Sequence, residues 1–260
     1  MQLVELDIAK EVKRICDKYN INYFLSYGTL LGAIRHNGFI PWDDDIDIGI
    51  LRSEYEKFLK IANKELKSQY ILVTWFNDEK YYLPFAKIMK KGTIALEPGN
   101  SKKNGRVGIY IDIFPYDNFL MNNRMIRKFI YKLISRMIFV KCDHYPWLEV
   151  EKSNFKKYVQ YIPIRVLSFL FSKDFLKKKC EEMIKKYNNF DSEFMYSAEC
   201  PYRVIFKKIW LTDVIDASFE NIIFKIPKYY DHYLEKVYGE YMKLPPKNDR
   251  KGHNFIKIKF

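Results

Sequence analysis

Four aspartates fall within five consecutive positions, Asp43, Asp44, Asp45 and Asp47, inside the stretch YGTLLGAIRHNGFIPWDDDIDIGI that runs from Tyr27 to Ile50. In an extended chain alternate side chains share a face, so Asp45 and Asp47 point the same way while Ile46 and Ile48 enter the opposite layer. Two carboxylates held side by side disfavour each other's ionisation, and a divalent cation removes that penalty. Oxygen-only ligands suit Mg2+ or Mn2+, and Mg2+ keeps waters and bridges substrate phosphates. A solvated acidic turn is the plain alternative. A further carboxylate, Asp112, lies between Ile111 and Ile113 in the apolar β pattern GIYIDIFPYDNF. An unpaired aspartate in such a strand is costly to bury. Asp112 therefore reads as a third metal ligand or as a general base towards an attacking hydroxyl, with a structural aspartate bonded to backbone amides as the alternative.

Just upstream, INYFLSYG reads as a strand closed by Gly28, and TLLGAIRHNG as a short helix with Thr29 at its N-cap and Gly38 after its last turn. A glycine at such a turn lets a phosphate approach the backbone, and the helix N-terminus offers free N–H groups and a positive dipole end. Gly28 and Thr29 are thus candidate phosphate contacts. Arg35, one to two helical turns on, reaches either a phosphate or a carboxylate such as Asp43 or Asp44. Lys87, in LPFAKIMKKGT, is a second candidate phosphate contact or a solvated lysine. His36 reads as a supporting residue, and Trp42 as a core-sealing ring or a platform for the donor.

These residues need a scaffold. Helical spacing covers residues 3–19, an amphipathic helix begins at Ser53, and a last helix spans 228–238. DIDIGI alternates as a strand should, and further strands are expected at 70–76, 84–89 and 107–114. The middle differs: RMIRKFIYKLISRMIFVK is helical and basic, and FKKYVQYIPIRVLSFLFSKDFLKKK is basic and aromatic, with Pro163 expected to break it.

The chain has 260 residues and a net charge of +13. Between Arg124 and Lys186 there are sixteen Lys and Arg against six Asp and Glu, so most of the excess sits in that middle segment. Such a balance fits nucleic acid, an anionic membrane surface or a phosphorylated substrate. No helix-turn-helix, zinc-finger or RNP-like signature is present, which disfavours nucleic acid. Basic amphipathic segments at 124–186 suit a peripheral membrane contact. With ten Gly, ten Pro and no low-complexity run, disorder is excluded as the dominant state. Cys16, Cys142, Cys180 and Cys200 show no C-x-x-C pairing and read as buried reduced thiols; a zinc site on Cys142 and His144 lacks a second ligand pair. No run is apolar enough to span a bilayer and no leader pattern opens the chain, so a cytoplasmic protein is expected, with or without peripheral contact at the inner membrane face.

The long aspartate motif is similar to the signature of the LicD family of cholinephosphotransferases, to which fukutin-related proteins are also related. That family lies within the nucleotidyltransferase superfamily, whose hallmarks are a glycine turn on a strand, an acidic pair separated by one apolar residue, and a third acid on a later strand. GIYIDIFPYD, and YGEYMKLPP followed by Arg250 and His253, match the same pattern. The middle, roughly 120–200, does not align by eye. The resemblance implies an α+β fold with a nucleotidyltransferase-like mixed β-sheet core flanked by helices over 1–122. A basic, aromatic helical insertion over 123–200 and a C-terminal part returning to the core over 201–260 would complete it. It implies transfer of phosphocholine from CDP-choline to a sugar hydroxyl of a cell-surface glycan precursor, free or lipid-linked, such as a lipopolysaccharide or teichoic acid, with release of CMP. Ribitol, glycerol or ethanolamine phosphate from its own CDP donor is an alternative, as is true nucleotidyl transfer from a nucleoside triphosphate. A non-enzymatic basic membrane- or RNA-binding module is the alternative of a different class. Carried over by position, Gly28 and Thr29 lie against donor phosphates, Asp45 and Asp47 hold the Mg2+ or Mn2+, and Asp112 completes the acidic set. The Gly-Thr turn departs from the superfamily's commoner Gly-Ser. A choline head group would call for an aromatic cage.

Overall fold

The computed structural model, which describes residues 1–96, 107–121, 124–142, 155–199, 203–252 and 255–260, is an α+β arrangement. Its first part runs α1 (Gln2–Lys18), β1 (Tyr23–Leu25), α2 (Tyr27–His36), β2 (Asp47–Leu51) and α3 (Arg52–Glu65). The strands β3 (Tyr70–Val73), β4 (Ala86–Lys90), β5 (Ile94–Leu96) and β6 (Tyr110–Phe119) follow. Three helices come next: α4 (Arg124–Lys141), α5 (Phe155–Phe169) and α6 (Lys173–Lys185). The chain closes with β7 (Phe194–Ser197), β8 (Phe206–Lys207), α7 (Ile209–Thr212), β9 (Val214–Phe219), β10 (Ile222–Pro227), α8 (Tyr230–Tyr238) and β11 (Lys257–Lys259).

The main sheet is mixed, in the order β1-β2-β6-β4-β3, with β7 on the far half of β6 and β8 beyond it. β2 and β6 run parallel; β1 with β2, β4 with β6 and β3 with β4 are antiparallel. The alternation in β2 sends Ile48 and Ile50, with Ile46 just before them, into the core, where all three are buried. α1 and α3 cover this side of the sheet, while α2 and α8 pack over the side that carries Phe114 and Tyr116. Gly49 is the position where the second side leaves no room: a Cβ there would overlap the rings of Phe24 and Tyr116.

Several boundaries differ from the expectations of the sequence, each for a local reason. α2 starts at Tyr27 with Ser26 as N-cap, three residues before the expected N-cap Thr29, because the Thr29 hydroxyl accepts the Asp47 amide at 2.8 Å instead of capping its own helix. The left-handed residue at the C-terminus of α2 is Asn37 (φ 55°), not Gly38, and asparagine tolerates that region. β3 ends at Val73, where the Asn77 side chain accepts the Thr74 amide and turns the chain. Pro163 lies inside α5 and does not end it; the break falls after Phe169, and Ser172 then caps α6 by accepting the Phe175 amide at 3.1 Å.

α4 and α6 share an apolar cluster of their own, with Met137, Ile138, Leu176 and Cys180 packed on Trp75. Lys177 is buried there, and its ammonium donates to the Trp75 carbonyl at 2.5 Å and to that of Asp78 at 3.4 Å; burial lowers its pKa. Cys16, Cys142 and Cys180 are buried reduced thiols, and burial raises the thiol pKa of Cys16 and Cys180. Cys200, His144 and His253 lie outside the described residues. The turn of the β9–β10 hairpin, Glu220-Asn221, has both residues left-handed (φ 51° and 60°), as a two-residue hairpin turn requires. The Glu220 carboxylate accepts the Phe39 amide and ties this hairpin to the chain leaving α2.

Candidate active site

The parallel register pairs Asp47 of β2 directly with Asp112 of β6, so both carboxylates rise from the same side of neighbouring strands. The Asp112 amide donates to the Ile46 carbonyl at 2.9 Å, and the Ser26 amide to that of Asp47 at 3.0 Å, which locks the register on both flanks. Asp45, two residues before Asp47, opens on the same wall. Asp43, Asp45, Asp47 and Asp112 all line one cavity of about 890 Å3, together with Gly28 and Arg35.

Of the remaining expected contacts, Thr29 and Lys87 stand behind the lining residues. Thr29 is buried, and its hydroxyl is taken by the Asp47 amide. Lys87 lies opposite Asp112 in the β4–β6 register. Its ammonium meets Asp112 Oδ1 at 2.7 Å and rests 3.3 Å from the centre of the Tyr110 ring. Arg35 donates to the carbonyls of Tyr241 at 2.6 Å and Lys243 at 3.4 Å, not to a carboxylate. It thereby fixes the segment after α8 over the cavity, and burial lowers its pKa. Gly28 sits in the first turn of α2, and a Cβ there would press on the Asp43 carboxylate. The left-handed residue of this turn is Tyr27 (φ 44°), whose amide donates to the Tyr233 hydroxyl at 3.3 Å. Trp42 lines the cavity, its ring edge-on to His36 and facing the Arg250 guanidinium at 5.2 Å.

Residue patterns did not single out several groups that the fold brings here. Glu199 and Glu240 bring the carboxylates lining the cavity to six, and Tyr238, Tyr241, Lys243 and Lys251 line it too. The only signal for these last four was the stretch YGEYMKLPP and the basic residues after it, which carried no assigned roles. Glu5 of α1 is buried, with Oε2 unpartnered among the described residues. Nothing in a mixed-charge helix marks one glutamate as buried against another segment's aspartates.

The electrostatics follow from crowding. Burial above all, then the Asp45 and Asp112 charges, raise the pKa of Asp47 well above the carboxylate range. Burial, with Asp45 next, pushes Glu5 up to about 9. Among the described residues the Asp47 carboxylate has no hydrogen-bond or ion-pair partner. As the side chains stand, no three His, Cys, Asp or Glu groups among the described residues close round one ion position. Asp112 turns instead to Lys87. In kind, however, the set suits a hard divalent cation: oxygen donors only, an unpartnered buried carboxylate among them, and an excess of negative charge.

A family model described as "LicD/FKTN/FKRP, nucleotidyltransferase domain" matches residues 20–163. The lipopolysaccharide cholinephosphotransferase LicD of Haemophilus influenzae is 32% identical over 263 residues, covering 97% of this chain and 94% of that protein. The human ribitol 5-phosphate transferase FKRP is 43% identical over 44 residues, 17% of this chain and 9% of its own. An uncharacterised protein of Rickettsia prowazekii is 49% identical over 47 residues, 18% of each chain. The chain belongs to the LicD family. It is an enzyme, a LicD-type phosphotransferase.

Proposed function

We propose that this enzyme moves phosphocholine from CDP-choline to a sugar hydroxyl of a cell-surface glycan precursor and releases CMP, with Mg2+ or Mn2+ bound at the aspartates. The observation that carries this reading is the register that sets Asp47 beside Asp112 on the wall of a cavity large enough for a nucleotide donor. The near full-length relative supplies the name of the transferred group. The sheet is assigned to the nucleotidyltransferase type on the same grounds.

The acceptor oxygen forms a bond to the phosphorus that bears choline, and the bond from that phosphorus to the oxygen of CMP breaks. In this reading the hydroxyl proton passes to a carboxylate of the acidic wall, and Asp112, paired with Lys87 at 2.7 Å, is the proposed acceptor. Asp45 and Asp47 would hold the cation, which when bound neutralises charge developing on the departing phosphate. The first turn of α2 has no side-chain cap, so amides near Gly28 can meet donor phosphates. Lys243 and Lys251 line the same cavity, with Arg35, and are the cations proposed to meet the donor diphosphate. Six aromatic residues line the cavity: Tyr27, Trp42, Phe85, Phe114, Tyr238 and Tyr241. Rings with carboxylates nearby suit a quaternary ammonium group through cation–π attraction, which favours choline over a polyol. The 44-residue stretch shared with FKRP leaves ribitol phosphate as the second donor to test.

The test is CMP release from a panel of CDP-alcohols with a glycan acceptor, with Mg2+ and with EDTA, in wild type and in Asp45→Asn and Asp47→Asn. CMP from CDP-choline alone, lost in EDTA and reduced ~100-fold or more in both variants, is expected. CMP unaffected by EDTA would remove the metal, CMP from another donor would change the head group, and diphosphate release from a nucleoside triphosphate would replace the reaction.

A further inference from the structure

Beyond phosphotransfer, and independently of it, we infer that the α4–α5 helices dock the enzyme on an anionic lipid bilayer. α4 and α5 pack on each other, yet both turn large apolar side chains to solvent. On α4, Met125 and Phe129 are 83% and 69% exposed; at the end of α5, Phe169 and Leu170 are 73% and 74% exposed. Ile126 and Val166 continue the two stripes and are exposed as well. Single exposed apolar residues are ordinary, but stripes on paired helices mark an interaction surface. The other side of α4 is fixed to the body. Arg127 is buried, its guanidinium 4.5 Å from the Tyr187 ring, and Met137 and Ile138 enter the apolar cluster with α6. The exposed stripe is therefore a face of a held element.

The cations beside the stripe select the occupant. Lys132, Arg136 and Arg165 are exposed, and Lys128 is half-buried. A second copy of this chain would set the same cations against each other across a two-fold contact. Nucleic acid would meet the cations but leave the apolar stripes unburied. An anionic bilayer surface satisfies both, taking the apolar side chains at the acyl boundary and the ammonium and guanidinium groups among the headgroups. Among the described residues no helix is long and apolar enough to cross a membrane, so the contact is peripheral. Acceptors carried on lipid would then be presented at the surface where the enzyme sits.

Co-sedimentation of the full chain with phosphatidylcholine vesicles, and with vesicles of phosphatidylcholine mixed with phosphatidylglycerol, tests this without any donor or metal. Binding to the mixed vesicles only, weakened by salt, is expected. Phe169→Ser/Leu170→Ser and, separately, Lys132→Glu/Arg136→Glu should each weaken it ~10-fold or more. Circular dichroism and CMP formation with a water-soluble acceptor should stay at the wild-type level in both variants. No binding of wild type to mixed vesicles, or equal binding by folded variants, overturns the inference. So does a wild-type dimer that Phe129→Glu converts to monomer, which would assign the face to a second copy.

Discussion

Two aspartates of β6, Asp112 and Asp117, stand five residues apart and so face opposite sides of the sheet. The structure gives them different work, and Arg52 exposes the difference. Asp117 is fully buried and accepts two bonds from Arg52, Nε to Oδ1 and Nη2 to Oδ2, each 2.7 Å, plus one from the Asn188 amide at 2.6 Å. Arg52 is 7% exposed and also meets Glu181 of α6 at 3.3 Å. Burial is the largest single influence and works against its charge, but Asp117 and then Glu181 together outweigh it, and the arginine pKa is raised. Arg52→Met leaves the Asp117 carboxylate buried with only Asn188 to bond it. Breaking one side of such a pair costs roughly 3–5 kcal/mol, or about 6–20 °C in Tm for a chain near this size. Arg52→Met/Asp117→Leu should recover most of that loss, because neither charge is then desolvated. Urea and thermal unfolding of the wild type, both single variants and the double variant supply the cycle. CMP formation per folded molecule should stay within about threefold in Arg52→Met, since the pair lies away from the cavity. A loss below about 1 kcal/mol, the range of an exposed pair, would refute the reasoning, as would a double variant no more stable than the worse single one.

Glu5, pushed up to about 9, binds its proton more tightly folded than unfolded. Stability therefore falls as pH rises from the ordinary glutamate range towards 9, at ~1.4 kcal/mol per unit. Glu5→Gln in EDTA should remove about 3 kcal/mol of the wild type's loss between pH 6 and 8, so that unfolding profiles parallel to wild type would contradict the placement of Glu5. Gly49→Ala drives a methyl into the rings of Phe24 and Tyr116 and should cost about 1–3 kcal/mol in urea unfolding, whereas an unchanged midpoint would mean that the sheet is looser there. If Lys243 and Lys251 meet the donor diphosphate, Lys243→Ala and Lys251→Ala should each raise KM for the CDP donor ~10-fold with kcat little changed; an effect on kcat alone would move them away from donor binding.

Family, α+β class and the local elements were legible in the sequence because they depend on nearby residues. The D-I-D alternation decides which side chains share a strand face, and a 24-residue motif carries the family resemblance by itself. Helix ends were readable only to within a few residues, since Thr29 had two claimants for its hydroxyl and only the packed chain shows that the Asp47 amide won. What tertiary structure alone decided is which residues meet across long sequence gaps. The β2–β6 register sets Asp47 against Asp112, and β4 brings Lys87 to Asp112. Arg35 reaches carbonyls some two hundred positions later, and Glu5 is buried near aspartates of another segment. Local pattern reports the direction of a side chain relative to its own backbone. Strand order, register and the fold-back of the segment after α8 arise from packing over the whole chain, and they determine what that side chain meets.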